Sequence, residues 1–491
     1  MDILMAASEA VPFAKTGGLA DVIGSLSKEL ERLGHNLKIA LPYYRMVKEG
    51  NFEVDHLKET MRIRISDKTV KGEVLTVRMG RDITVYLIKN DDYYDREGLY
   101  GTEKGDYGDN AERFTFFCKA ALELLKMTGF KPDIIHCHDW QTGLIPVYLK
   151  TLFKNDSSLS AVKTVFTIHN LAYQGLFWAL DMPLTGLPQE VFTPEGIEFY
   201  GKINFLKAGI VYGDIVTTVS EKYAQEIQTE EFGYGLEGVL RSRKEDLYGI
   251  LNGADYEEWN PGKDEFIIKK YGRDDLSGKK NCKMDIIKEF GLEIEEDAPL
   301  FGLVSRLVEQ KGLDLVVDAA DEISKLGGLV ILGKGDEDCE KLVAGLANRY
   351  PRRVGVKVAF DESLAHKITA GADFFLIPSQ YEPCGLNAIY SLKYGAIPIV
   401  RATGGLDDII LELDSETGWS NGFKFPDFSK ESLISCIRVA MGTYRKKELW
   451  HKFMENALAC DYSWRRPAIE YEKLYHKVLG EETVNMKLQA D

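Results

Sequence analysis

The chain has 491 residues, 45% of them hydrophobic, with 61 basic against 77 acidic side chains and a formal net charge of −16. That length predicts roughly two to four domains with ample material for a core. The acidic balance excludes nucleic acid and anionic membrane as principal partners, while leaving room for a small anion in a local basic pocket or for a neutral polymer. The seven cysteines are scattered and contain no Cys-x-x-Cys pair, so they read as free thiols in a reducing compartment, and no zinc site is spelled out. The N-terminus opens on an apolar run with no basic region or cleavage site, and no apolar run approaches the ~20 residues of a membrane span. The expectation is a cytoplasmic protein with no membrane partner.

In chain order, Ile3-Leu4-Met5-Ala6-Ala7 reads as a strand. Lys15-Thr16-Gly17-Gly18 follows, and then apolar residues at Leu19, Val22, Ile23, Leu26 and Leu30 mark one face of a helix. Strand, glycine loop and helix N-terminus together suit an anion such as a diphosphate, with Lys15 adding a full charge. The same run reads equally as a plain strand-to-helix turn with a solvated lysine. Further strands are expected at Leu37–Leu41, Val85–Ile88, Asp133–His138, Thr164–His169 and Ile215–Ser220, with a helix near Asn110–Met127. Such alternation implies an α/β fold with a doubly wound parallel sheet.

A second α/β series begins near Pro299, with strands at Leu300–Ser305, Gly328–Gly333, Val354–Phe360, Phe374–Ile377 and Ile397–Val400. Turn signals at Asn252-Gly253 and Asn260-Pro261 place the boundary between the two halves near Tyr248 to Pro261. In sheets of this kind ligands bind at the carboxyl ends of the strands.

The chemically informative residues recur at those strand ends. His136 and His138 flank one residue of a strand and point the same way, as a metal pair or as hydrogen-bonded structural histidines. Asp139 before Trp140 reads as a helix cap or as a carboxylate beside a sugar-stacking aromatic. His169 is a turn residue or a group presented to a ligand. Arg306 and Lys311 form a solvated helix edge or meet the need of a diphosphate leaving group. Cys384, in a Pro-Cys-Gly loop, has no evident base nearby, which favours packing or substrate shaping over nucleophilic attack. A nicotinamide-binding unit would show Gly-x-Gly-x-x-Gly and an acidic residue closing the second strand; here that strand runs into Leu41-Pro42-Tyr43-Tyr44-Arg45, with no carboxylate.

Taken together, these motifs resemble those of the bacterial and plant-type glycogen (starch) synthases over nearly the whole chain. The resemblance is carried by Lys15–Val22, Asp109–Phe114, His138-Asp139-Trp140, Thr167–Gly175, Leu251–Asp255, Ser305-Arg306-Leu307 with Gln310-Lys311-Gly312, Glu382–Leu386 and Arg401–Leu406. It implies two Rossmann-like domains facing a central cleft, the GT-B glycosyltransferase fold. The first would span 1–247, the second 248–465, with a C-terminal helix in 466–491 crossing back to the first or, alternatively, packing within the second. It implies retaining transfer of glucose from a nucleotide-glucose, usually ADP-glucose in bacteria, to the non-reducing end of an α-1,4-glucan, with no metal and no cofactor. Rival readings of the same fold are transfer to a small sugar or sugar phosphate, and a non-catalytic glucan-binding relative. The oligomeric state is not encoded in any motif.

By the same resemblance, Arg306 and Lys311 bind the diphosphate and stabilise charge on the departing nucleotide, with Lys15, Gly17 and Gly18 completing the cradle. His169 contacts the glucosyl unit, with its backbone carbonyl near the anomeric carbon. Glu382 holds glucose hydroxyls, and Cys384, Gly385 and Leu386 line the sugar pocket. Asp139 and Asn252 face the acceptor, and Thr403, Gly404 and Gly405 approach the phosphates through backbone groups. Trp140, Tyr173 and Phe177 stack on glucan rings or pack internally. Tyr390 stands where the wider fold repeats a glutamate, as is usual in this synthase family, while Ala388, where a glutamine is common, and Ile409, where Thr or Ser is usual, lie in the nucleotide-facing half.

Overall fold

A computed structural model of the chain describes residues 1–411 and 419–481. The backbone forms two compact units. One comprises Met1–Val219, Ala224–Ile250 and the residues from Trp464 on; the other comprises Ser220–Tyr223 and the residues between Leu251 and Ser463.

The first unit is built on parallel strands in the spatial order Ile83–Lys89, Asn36–Pro42, Asp2–Ala6, Ile134–His138, Lys163–Ile168, Ile215–Thr218 and Leu247–Gly249. This is the doubly wound order in which the chain reverses direction beside its first strand. The reversal lies between Asp2–Ala6 and Ile134–His138, which pair Met5 with His136. The central strands are apolar on both faces, as helices on both sides of a parallel sheet require, and Ile3, Leu4, Met5, Ile134 and Ile135 have no exposed surface. The helix Gly18–Arg32 buries Leu19, Val22, Ile23, Leu26 and Leu30, the face read from the 3.6-residue spacing. Alternation did not anticipate the antiparallel extension, in which Lys68–Met79 pairs with Ile83–Lys89 and with Met61–Ile65. Only one face of the outer strand Met61–Ile65 is covered, so its residues alternate between buried and exposed and carry little net hydrophobic signal.

The C-terminal helix Arg465–Leu479 belongs to this unit. Its Glu472 bonds His35 Nε2 at 2.9 Å, and its Tyr475 hydroxyl bonds His136 Nδ1 at 2.8 Å, both with buried side chains.

The second unit is a six-stranded parallel sheet in the order Val354–Val358, Gly328–Gly333, Leu300–Val304, Phe374–Ile377, Ile397–Arg401 and Phe423–Phe425. The same logic repeats. The reversal falls between Leu300–Val304 and Phe374–Ile377, so the loops after these two strands flank the crevice of this sheet. Ala388 and Ile409 lie in its core with no exposed surface. Tyr390 stacks on Trp259, with ring centroids 4.1 Å apart and 5° between the planes. All three are therefore packing positions.

Candidate active site

The site residues named from sequence fall into two sets, one in each unit, at or near the carboxyl ends of its strands. In the first unit, the loop after Asp2–Ala6 is organised by a residue that sequence reasoning missed. Glu9 is 4% exposed. Its carboxylate accepts from the backbone N–H of Thr16 at 2.6 Å and of Gly17 at 3.1 Å, from the Thr16 hydroxyl at 2.7 Å and from the Tyr100 hydroxyl at 2.7 Å. Backbone amides that the glycine motif suggested were aimed at an anion are thus occupied by an internal carboxylate. What the loop turns outward is Lys15, half exposed and paired with Asp21 at 2.8 Å. Asp21 sits in the first helical turn, where the helix dipole favours a carboxylate.

Gly17 has an extended backbone, and a Cβ added there would meet nothing within 4 Å. The fold itself makes no demand for glycine at that position. The Glu9 bond also explains the Asp109–Phe114 motif. Arg113, fully buried, donates to the carbonyls of Tyr93 at 2.7 Å and Leu99 at 2.9 Å, and Asn110 donates to the carbonyl of Tyr100 at 2.8 Å. The helix Asn110–Thr128 thereby fixes Tyr100, and Tyr100 helps fix Glu9.

Across the switch point, Asp139 follows the strand Ile134–His138 with φ at +58°, a left-handed value rare for a residue with a side chain. Such strain persists only where the surroundings impose it. Here Oδ1 accepts the His169 backbone N–H at 2.8 Å, and the Asp139 N–H donates to the Thr167 carbonyl at 2.9 Å. Burial pushes the Asp139 carboxyl up to about 7, assisted by the charge of Glu9 and opposed by backbone N–H donors from His169 and Asn170.

The histidines form a stack rather than a metal pair. His136 and His138 have ring centroids 4.0 Å apart; His136 bonds the Thr167 hydroxyl at 2.6 Å, and His138 Nδ1 meets His169 Nε2 at 3.0 Å. Burial lowers His136 and His169 to about 3 and His138 well below its ordinary value, so all three are neutral at pH 7. Trp140 is buried edge-on against Phe114 at 4.8 Å, and Phe177 packs on Phe205 at 4.7 Å, whereas Tyr173 is half exposed.

In the second unit, Arg306 is exposed at the end of Leu300–Val304. Lys311 closes the following turn and pairs with Glu382 at 2.6 Å; Glu382 also accepts from the Ser379 hydroxyl at 2.9 Å. Gly312 makes this approach feasible. Its φ of +65° suits glycine, and a Cβ there would lie 2.1 Å from the Pro378 carbonyl oxygen. Sequence reasoning gave Lys311 and Glu382 separate tasks; the fold makes them one ion pair.

The expectation for Thr403, Gly404 and Gly405 needs correction at Gly405. Its N–H donates to the Glu382 carbonyl at 3.0 Å and is therefore spent within the protein. A Cβ on Gly404 or Gly405 would fall 2.0 Å from the Glu382 oxygen or 1.9 Å from the Cys384 oxygen. These glycines let the loop after Ile397–Arg401 press directly on the Glu382–Cys384 backbone. Gly385, at φ +91°, opens the helix Leu386–Lys393 and packs beside Leu406.

Cys384 is buried, and burial pushes its thiol up to about 12, which removes it as a nucleophile at neutral pH. It lies against Asn252, whose own Oδ1 is buried with no hydrogen-bond partner among the described residues. A buried orphan acceptor of that kind needs a partner, and a ligand hydroxyl would supply one.

Comparison with known proteins identifies the family. The family profile described as "Starch synthase catalytic domain" matches residues 2–242, and "Glycosyl transferases group 1" matches residues 285–457. The chain is 48% identical to "Glycogen synthase" of Koribacter versatilis, over 97% of this chain and 98% of that protein. It is 44% identical to "Glycogen synthase" of Syntrophotalea carbinolica, over 98% and 99%. Among solved structures, the catalytic domain of Starch Synthase IV from Arabidopsis thaliana, bound to ADP and acarbose, superimposes with a TM-score of 0.89 at 33% identity, covering 98% of this chain and 99% of that one. Sucrose-phosphate synthase from Thermosynechococcus elongatus shares the fold, with a TM-score of 0.60 at 15% identity. The chain belongs to the glycogen and starch synthase family of GT-B glycosyltransferases, and its activity is that of a glycogen synthase.

Proposed function

We propose that the donor is ADP-glucose and that glucose passes, with retained configuration, to the non-reducing end of an α-1,4-glucan. The observation that carries this reading is a repeated one. Each doubly wound sheet sets cationic side chains in the loop after its first strand, Lys15 in one unit and Arg306 with Lys311 in the other. Loops of that position are where such sheets hold phosphates. The anomeric C–O bond to the β-phosphate breaks as the bond to the acceptor O4 forms, the O4 proton passes to the departing phosphate oxygen, and negative charge builds on the ADP as it leaves. Fixed cations stabilise that charge more in the transition state than in the bound donor, which is how they accelerate the step.

In this reading Lys311 both neutralises diphosphate and holds Glu382 ready to accept glucose hydroxyls. Arg306 supplies a second cation in the same unit, and Lys15 is the cation of the corresponding loop in the other unit. Gly17 gives the donor an unobstructed approach, and Gly18 opens the helix beneath it. Asp139 and His169, bound to each other through the His169 N–H, place the His169 backbone beside the anomeric carbon and the Asp139 carboxyl toward the acceptor. Asn252 gives its orphan Oδ1 to a sugar hydroxyl, and Cys384, Gly385 and Leu386 shape the sugar pocket. Thr403 and Gly404 face phosphate, while Gly405 supports them from within. The ADP bound to the Arabidopsis catalytic domain supports the choice of nucleotide. Seven free cysteines support a cytoplasmic setting, and no helix among the described residues is long and apolar enough to cross a membrane.

The test is a comparison of ADP-glucose with UDP-glucose on glycogen, with the anomer of the new bond read by NMR. Higher kcat/KM with ADP-glucose and an α-linked product are expected. Preference for UDP-glucose or a β-linked product overturns the proposal.

A further inference from the structure

Asp139 holds the backbone N–H of His169, whereas the residue before it, His138, has no task in the transfer as described. His138 closes the strand Ile134–His138 and has no exposed surface. The neighbouring strand Lys163–Ile168 sets Thr167 opposite it, so His169 leaves that strand beside the His138 ring. His138 Nδ1 and His169 Nε2 lie 3.0 Å apart, with 35° between the ring planes. His138 also packs on the His136 ring at 4.0 Å. His136 is anchored at both of its nitrogens, by the Tyr475 hydroxyl at 2.8 Å and the Thr167 hydroxyl at 2.6 Å. The ring that supports His138 therefore has no freedom to turn.

The direction of the His138–His169 bond follows from what each arrangement leaves behind. Both rings are neutral, so each carries one N–H, and one of the two facing nitrogens must donate to the other. His138 Nε2 is buried with no hydrogen-bond partner among the described residues. Were His169 the donor, the His138 proton would sit on Nε2 as an orphaned buried N–H. With His138 donating from Nδ1, Nε2 is a bare lone pair, and an unpaired acceptor is tolerated more readily than an unpaired donor. His169 then accepts at Nε2 and carries its own proton on Nδ1. An imidazole free in water prefers its proton on Nε2, so this form of His169 has to be imposed, and the bond made by one ring nitrogen is what imposes the state of the other. His169 is partly exposed, unlike His136 and His138.

We propose that His138 is a positioning residue of the glucosyl transfer, donating to His169 so that His169 presents an Nδ1–H, and not a bare nitrogen, to a hydroxyl oxygen of the donor sugar. This role rests on the reading that His169 contacts the glucosyl unit. Consecutive residues then hold the two parts of His169: Asp139 its backbone and His138 its ring. A sugar hydroxyl can donate or accept, and a ring N–H of fixed direction decides which it does and how the sugar is turned. Orientation of that kind is one of the larger sources of rate available to an enzyme. No proton is transferred along the pair; the bond only orients.

The experiment uses the full chain with its eight histidines labelled at the ring nitrogens with 15N, and His169→Gln identifies the His169 signals by their loss. A protonated Nδ1 and a bare Nε2 on His169 are expected. Two variants read the consequence. The side-chain amide of His138→Asn supplies an N–H in place of the ring Nδ1–H, whereas His138→Leu supplies none. His138→Asn should keep the His169 tautomer and most of kcat. His138→Leu should move the His169 proton to Nε2 and lower kcat about tenfold, the worth of one hydrogen bond, with the affinity for ADP unchanged by calorimetry. Since His138 is buried, the tautomer in the unsubstituted chain decides the direction of the bond even where a variant folds poorly. A protonated Nε2 on His169 in that chain overturns the proposal. Equal losses of kcat in the Asn and Leu variants, or a loss in His138→Leu with the tautomer unchanged, also overturn it, because either marks a purely structural role. Full kcat in His169→Gln strikes the reading of His169 itself, and the positioning role with it, while the nitrogen signals still report the bond between the two rings.

Discussion

The carboxylate of Glu9 accepts a hydrogen bond from the backbone N–H of Gly17 at 3.1 Å, in the centre of the loop that carries Lys15. This bond and the three others to Glu9 hold the Lys-Thr-Gly-Gly loop in one shape. Glu9→Gln replaces one acceptor oxygen with an N–H2 group that faces other donors. Leaving buried donors unsatisfied costs about 1–3 kcal/mol. The expected result is a lower denaturation midpoint and a KM for the nucleotide-sugar donor raised about tenfold or more, with the KM for glycogen little changed. Wild-type kinetics would remove Glu9 from its positioning role.

Gly17 and Gly405 should respond oppositely to an added methyl group. A Cβ at Gly17 touches nothing, whereas at Gly405 it falls 1.9 Å from a carbonyl oxygen. Gly17→Ala should therefore leave Tm unchanged while weakening the donor's approach, seen as a higher donor KM. Gly405→Ala should lower stability by at least about 2 kcal/mol, as overpacking does, measured by urea unfolding. Loss of stability in Gly17→Ala would show that the glycine serves the fold instead.

Arg306→Ala and Lys311→Ala should each lower kcat by about 10²–10³-fold, the usual loss when one charge-stabilising group is removed. Lys311→Ala also strands a largely buried partner, Glu382, with the two side chains 17% and 12% exposed in the native pair. That variant should lose stability by about 1–3 kcal/mol. Double replacement of Lys311 and Glu382 should recover part of the stability and none of the activity.

The pH dependence of stability should show two opposing contributions. His136 and His169 sit near 3 in the folded chain, far below their ordinary 6.5. The folded state therefore binds fewer protons, and the stability these rings contribute is lost as pH falls from about 6.5 toward 3. Asp139 is raised from 3.8 to about 7, so its contribution runs the other way: complete below 3.8 and lost as pH rises through 7. Asp139→Asn removes that compensating gain. Urea midpoints for this variant should fall more steeply than wild type between pH 7 and 4. A parallel or shallower profile would contradict the assignment.

The residues themselves announced much of this arrangement. The helix Gly18–Arg32 was legible because its apolar face recurs every three to four residues, and the central strands because burial on both faces makes them uniformly apolar. The loops after those strands were legible because Lys15, Asp139, Arg306 and Glu382 break the apolar runs at the places where a doubly wound sheet binds its ligand. The outer strand Met61–Ile65 was not, since half its residues face outward and dilute the pattern.

Sequence by itself determined the fold class, the strand ends that carry chemistry, and the identity of the charged residues there, since each depends on local periodicity and on residue type. Only the tertiary structure decided who partners whom. It turned Gly17 N–H to Glu9, joined Lys311 to Glu382 and set Gly405 to packing. Those choices rest on distances between segments remote in the chain. Burial then set the protonation of Asp139, His169 and Cys384, because desolvation depends on what surrounds a group and not on its neighbours in sequence.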